Sequence, residues 1–246
     1  MGRQYRPAGT PGFPAATGAA GRGWPTVRRH RIDGPDGRTA PPARRFWQAV
    51  RMSQLYLAQE PAADEMLAAD PFALLLGMLL DQQIPLEKAF IGPYRLAERL
   101  AVTRLDPAAI ADHDADDLAR IFATPIAIHR FPGSMAERSR KLARAVVDDY
   151  DGDAAAIWTG AADGADLLRR LGALPGFGKQ KAQIFTALLG KQFGVRPAGW
   201  REAAGVYGEE GSLRSVADIV DAASLVKVRE YKKQMKAAAK AAGPAR

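Results

Sequence analysis

The run Phe72-Ala-Leu-Leu-Leu-Gly-Met-Leu-Leu80 has no polar residue on any side. A helix built from it is apolar all round, so it belongs in the middle of a fold and not on its surface. Asp70-Pro71 supplies an N-cap and a first-turn proline, which predicts a helix over Phe72 to Gln83. The rest of the chain must cover that rod, and its pattern is helical nearly throughout. Helices are expected from Pro61, over Leu86 to Leu100, after Asp106-Pro107, and over Asp114 to Ile121 and Met135 to Asp149. More follow over Asp153 to Trp158, Ala165 to Leu171, Lys179 to Lys191, Trp200 to Val206 and Leu213 to Lys240. The β-branched residues do not alternate over any useful length, so no strand is expected and the fold class is all-α. No solenoid-type repeat is present.

With 246 residues, 47% hydrophobic and 25% charged, the chain suffices for one ordinary core or two small lobes sharing a cleft. Its net charge of +8 invites a nucleic-acid reading. The ten Arg and two Asp of residues 1–51 account for all of that charge, and the remainder is neutral. A nucleic acid bound by the body must therefore meet a local patch or backbone N–H groups. Residues 1–51 also hold seven Pro and eight Gly with no apolar period, so a disordered tail is expected there and a folded domain over 52–246. Arg28, Arg29, His30 and Arg31 read as a nucleic-acid arm or as a solvated stretch. Met52 also has the look of a natural start. No apolar stretch is long enough to span a membrane and no export signal is seen, so a cytoplasmic, nucleoid-associated protein is expected. Without cysteine there is no thiolate nucleophile, disulfide, Cys-ligated zinc or Cys-held iron–sulfur cluster. The three histidines show no metal-ligand spacing. No metal, cofactor or small-molecule partner is expected, and the chain reads as a monomer.

The most informative segment is Leu171-Gly-Ala-Leu-Pro-Gly-Phe-Gly-Lys-Gln-Lys-Ala182. One helix ends, a tight turn follows, and another helix starts. Pro175 sets one φ angle. Gly176 and Gly178 permit positive φ and close approach. The second helix then points its unpaired N–H groups outward, where a phosphate fits without any Lys or Arg. Pro175, Gly176, Phe177 and Gly178 form that candidate contact, and Lys179 and Lys181 flank it. An ordinary αα turn would also satisfy the Gly-x-Gly spacing.

This string resembles the hairpin of the helix-hairpin-helix DNA glycosylases, the group that includes endonuclease III, adenine glycosylase and the alkylpurine glycosylases. Leu79-Leu-Asp-Gln-Gln-Ile-Pro85 is similar to the helix end that opens the domain in that family. With Ile128-His-Arg-Phe-Pro-Gly-Ser-Met135 it resembles an uncharacterised bacterial branch. The resemblance covers roughly residues 65–205. It implies a two-lobed helical fold binding double-stranded DNA, with a base flipped into the cleft and its N-glycosidic bond cleaved in base excision repair. It places Gln83 beside the gap left by the extruded base.

Two positions depart from the family. Gln180 stands where lyase members carry a Schiff-base lysine, and one helical step of about 100° is expected to turn both Lys179 and Lys181 out of the cleft. No lyase step is therefore expected. The segment Val195-Arg-Pro-Ala-Gly-Trp-Arg201 holds no acid where the family has its aspartate. The candidate catalytic acids are then Glu202, the next carboxylate along, and Asp81, with Glu87 nearby. Glu202 also reads as a solvent-facing residue of a first helical turn, and Asp81 as a helix-end acceptor. Gln82 and Gln83 suit base edges or helix-end hydrogen bonds. His129 and Trp200 read as base-pocket residues or as packing. The cations of the last helix, Lys227, Arg229, Lys232, Lys233 and Lys236, read as a solvated face. Three functions remain open: a monofunctional DNA glycosylase, a non-catalytic binder of damaged or bent DNA, and an all-helical protein-interaction module.

Overall fold

The computed structural model describes residues 55–241. By its contacts the chain falls into two units, residues 1–39 and 40–246, and all described residues belong to the second. The tail expected over residues 1–51 lies outside the described residues.

The described residues are helical, with no strand among them. In chain order the helices are α1 (Pro61–Ala69), α2 (Pro71–Leu80), α3 (Leu86–Phe90), α4 (Gly92–Arg99), α5 (Pro107–Asp112) and α6 (Ala115–Ala123). Then come α7 (Pro132–Tyr150), α8 (Ala156–Thr159), α9 (Gly164–Ala173), α10 (Lys179–Gln192), α11 (Trp200–Ala204) and α12 (Ala222–Ala241). Short 3-10 turns occupy Gly205–Tyr207 and Val216–Asp218.

Every residue of α2 is buried, as its uniform apolar sequence requires. Asp70 starts it by accepting from the N–H of Phe72 at 3.0 Å and of Ala73 at 3.3 Å. Its other oxygen accepts from Leu105 at 3.0 Å and so ties in the segment before α5. Helices α1, α3, α4 and α7 pack on α2, α5 and α6 lie along α7, and α9 and α11 lie along α10. One continuous apolar cluster runs through all of these.

Three of the boundaries that differ from expectation have a local cause. Helix α2 stops at Leu80, short of Gln83, because Asp81 turns the chain (φ −70°, ψ 70°) and Gln82 N–H bonds back to Leu80 O at 2.6 Å. The Leu86–Leu100 helix is split because Pro93 has no N–H to give to Ala89. The expected helix from Leu213 is replaced by a loop and a 3-10 turn, and the last helix begins only at Ala222. Ser215 and Asp218 form a capping box there, and Gln192 Nε2 donates to the carbonyls of Val216, Ala217 and Ile219.

Candidate functional site

The hairpin between α9 and α10 turns at Leu174–Phe177. Phe177 N–H bonds to Leu174 O at 3.0 Å, and Gly176 has φ +83°. That is the geometry a turn with proline second and glycine third produces. A Cβ on Gly176 would lie 2.4 Å from Leu79 Cδ1, so the turn is seated directly on α2. Phe177 is buried and meets Phe185 edge-on at 6.0 Å. It anchors the hairpin and is not a surface contact, contrary to expectation. Gly178 also departs from expectation. Its φ is −79°, an ordinary extended value, and a Cβ there would meet nothing within 4 Å. What Gly178 provides is open space in front of α10. Gly178, Lys179 and Gln180 are exposed, and their N–H groups have no acceptor among the described residues. They form the positive end of a 14-residue helix.

The loop after α2 is held from several sides. Gln82 Nε2 donates to Leu79 O at 2.6 Å, and its Oε1 accepts from Arg138 at 2.8 Å. Its amide is thereby used as a strut and not as a reader of base edges. His129 is fully buried. Its Nδ1 accepts from Phe131 N–H at 3.1 Å, so Nε2 carries the proton and donates to Gln82 O at 2.9 Å. Burial pulls its pKa below the ordinary histidine value, which keeps the ring neutral. His129 therefore fixes the loop and does not line a base pocket. Gln83 is different: it is exposed, has φ +58°, and its side chain has no partner among the described residues.

Beside the hairpin lies a cleft of about 450 Å³. Met78 and Ile184 form apolar wall, while Asp81, Gln180, Lys181, Tyr207, Arg214, Tyr231 and Lys232 supply its polar groups, Arg214 bonding to Tyr231 Oη. A second hollow of about 340 Å³ shares Asp81 and Lys232 with it and contains the Glu87–Arg229 ion pair. Asp81 thus sits where the two hollows adjoin. No hydrogen bond to its carboxylate is made among the described residues. Burial pushes its pKa above the usual carboxylate value, and Lys232 and Lys181 oppose that rise.

Lys181 overturns the expectation that it faces away. Its Nζ donates to Met78 O at 2.6 Å and Leu79 O at 3.1 Å, closing the C-terminal end of α2. Burial lowers its pKa to about 8, against the pull of the Asp81 charge. The helical step from Gln180 does turn it, but towards α2, because the cleft wraps around two sides of the first turn of α10. Gln180 points the other way, donating to Tyr207 Oη at 2.8 Å. Lys179 stays at the exposed mouth.

Glu202 lines neither hollow and is exposed in the first turn of α11. Trp200 takes the inward place: it is buried, and a Cβ on Gly190 would fall 2.3 Å from its ring. Arg201 lies 4.8 Å over the same indole. Trp200 is packing and not a base platform. The residues missed in the sequence are Tyr207, Arg214, Tyr231 and Lys232. Lys232, read as part of a solvated face, is exposed as that reading has it and also lines both hollows. The spacing Leu225, Val228, Tyr231 on α12 marks the side that faces the fold, and Lys232 adjoins it.

Among the described residues no helix is long and apolar enough to cross a membrane, and no cluster of His, Asp or Glu could hold a metal ion. The chain matches no family model, and neither the curated proteins nor the solved structures contain a significant match.

Proposed function

We propose that this protein is a monofunctional DNA glycosylase that acts in base excision repair. The observation that carries the reading is an unpaired Asp81 carboxylate in a cleft beside the open amides of the Gly178–Gln180 turn. In this reading the helices form two lobes around the cleft. The amides hold a backbone phosphate of a duplex, Lys179 adds charge at the mouth, and Gln83 fills the gap beside an extruded nucleotide. The N-glycosidic bond breaks with its electron pair leaving on the base. The positive charge that grows on the sugar faces the Asp81 carboxylate, water then adds to the anomeric carbon, and the proton that water loses passes to the departed base.

The test uses duplexes that each carry one modified or mismatched base, with abasic sites cleaved afterwards by alkali. Release from at least one duplex is expected. Asp81→Asn should lower its rate by about 10²–10³-fold while leaving DNA affinity in place. Glu202→Gln should change neither. No lyase step is expected, so borohydride should trap no covalent protein–DNA adduct. An adduct that disappears in Lys181→Met would assign a lyase to that lysine and overturn this part of the reading.

The exposure of Glu202 favours a second reading, because it leaves no inward acid where the resembled family has its aspartate. The protein would then be a binder of damaged or bent DNA. Salt-dependent binding with no base released from any duplex would select it.

A further inference from the structure

The polar groups of the 450 Å³ cleft are mostly donors. Gln180 donates to Tyr207 Oη, so the tyrosine's own hydrogen is free to turn into the cavity. Arg214 does the same to Tyr231 Oη, with the same consequence. Lys181 spends two of its three hydrogens on Met78 O and Leu79 O and keeps one. The exposed Lys232 makes no hydrogen bond among the described residues and lines the cavity from its solvent side. Against these, Gln180 Oε1 and Asp81 are the side-chain acceptors that carry no hydrogen of their own, and each tyrosine oxygen already accepts one bond. If Asp81 serves the sugar, the groups left for a bound base are weighted towards donors. The charges point the same way. Lys181, Arg214 and Lys232 line the cleft against the single carboxylate of Asp81, and Arg214 is also paired outside it with Glu209.

We propose that the cleft selects a base whose edge carries carbonyl oxygens, of the deaminated or oxidised kind, and rejects the cationic alkylated purines. The inference rests on the glycosylase reading. A carbonyl edge accepts from the Tyr207 and Tyr231 hydroxyls and from the one remaining Lys181 hydrogen, so these partly buried donors keep partners when a base displaces water. A positively charged 7-methylguanine or 3-methyladenine would bring a further cation into a cavity already lined by three. The volume lies within the range of roughly 300–1,000 Å³ usual for small-molecule sites, so size alone does not decide among bases.

The test compares the full chain on duplexes of one sequence carrying uracil, hypoxanthine, 8-oxoguanine, 7-methylguanine, 3-methyladenine or a tetrahydrofuran abasic analogue. Single-turnover release and equilibrium affinity are both measured. At least one carbonyl-edged base should leave ten-fold or more faster than either methylated purine. Lys232→Glu should shrink that ratio ten-fold or more, and Lys232→Met, which keeps the stem and removes the charge, should move it in the same direction. Equal or faster release of the methylated purines overturns this inference and leaves the glycosylase reading standing. Release of no base overturns the glycosylase reading, and affinity then decides for the cavity. Ten-fold tighter binding of the carbonyl-edged duplexes than of the methylated ones supports the preference. Affinities no better than that for the tetrahydrofuran duplex show that the cavity holds no base and overturn it.

Discussion

A lysine pulled to a pKa of about 8 has a measurable consequence for stability. In the unfolded chain Lys181 holds its proton up to about pH 10.4, so between those values the unfolded state binds more protons than the folded one. Stability contributed by this residue therefore rises as pH climbs from about 8 towards 10, because the cost of keeping a buried ammonium is relieved. Urea midpoints at pH 7.5 and 9.5 should show that rise, and Lys181→Met should flatten it. A wild-type slope no different from the variant's would mean that Lys181 is solvated. Nothing in the local sequence announces this residue, since Lys179, Gln180 and Lys181 read alike. Its direction depends on Met78 O and Leu79 O, a hundred residues away in the chain. The bonds from His129 Nε2 to Gln82 O and from Arg138 to Gln82 Oε1 likewise join residues far apart in sequence.

The hairpin and the end of α2 act as one unit, and its two glycines do different work. Gly176 has φ +83° and would press a Cβ onto the fully buried Leu79, so Gly176→Ala should cost about 1–3 kcal/mol of stability. Gly178 has ordinary φ and open space, so Gly178→Ala should stay within about 0.5 kcal/mol. The added methyl would stand in front of the open amides, and a five-fold or greater loss of duplex affinity at constant salt is expected from it. Chemical denaturation and fluorescence anisotropy separate the two effects. Unchanged affinity in Gly178→Ala would place the DNA contact elsewhere. The turn itself was legible in Leu-Pro-Gly-Phe-Gly because proline and glycine restrict backbone angles locally. The loss of helix between Leu213 and Ala222 was not, because Gln192 on α10 satisfies the carbonyls of Val216, Ala217 and Ile219 from outside the segment.

On the scale of the whole molecule, charge and fold occupy different parts of the chain. The net +8 resides in residues 1–51, while the hairpin belongs to a neutral body. A chain starting at Met52 should still bind duplex DNA, with a smaller slope of log affinity against log salt because up to ten arginines are gone. Absence of binding by that shorter chain would assign the interaction to the N-terminal residues alone. The amino-acid sequence by itself determined that the domain is all-helical, that Phe72–Leu80 is its buried centre, and that a tight turn opens α10. Those features follow from local periodicity, capping and backbone restriction. Only the tertiary structure decided which charges share a cavity. Asp81, Lys181, Tyr207, Arg214 and Lys232 come from four separate stretches of chain, and α12 brings the last of them across the opening. Desolvation and charge pairing act through space, so it took the fold to put Asp81 in the hollows and Glu202 on the surface.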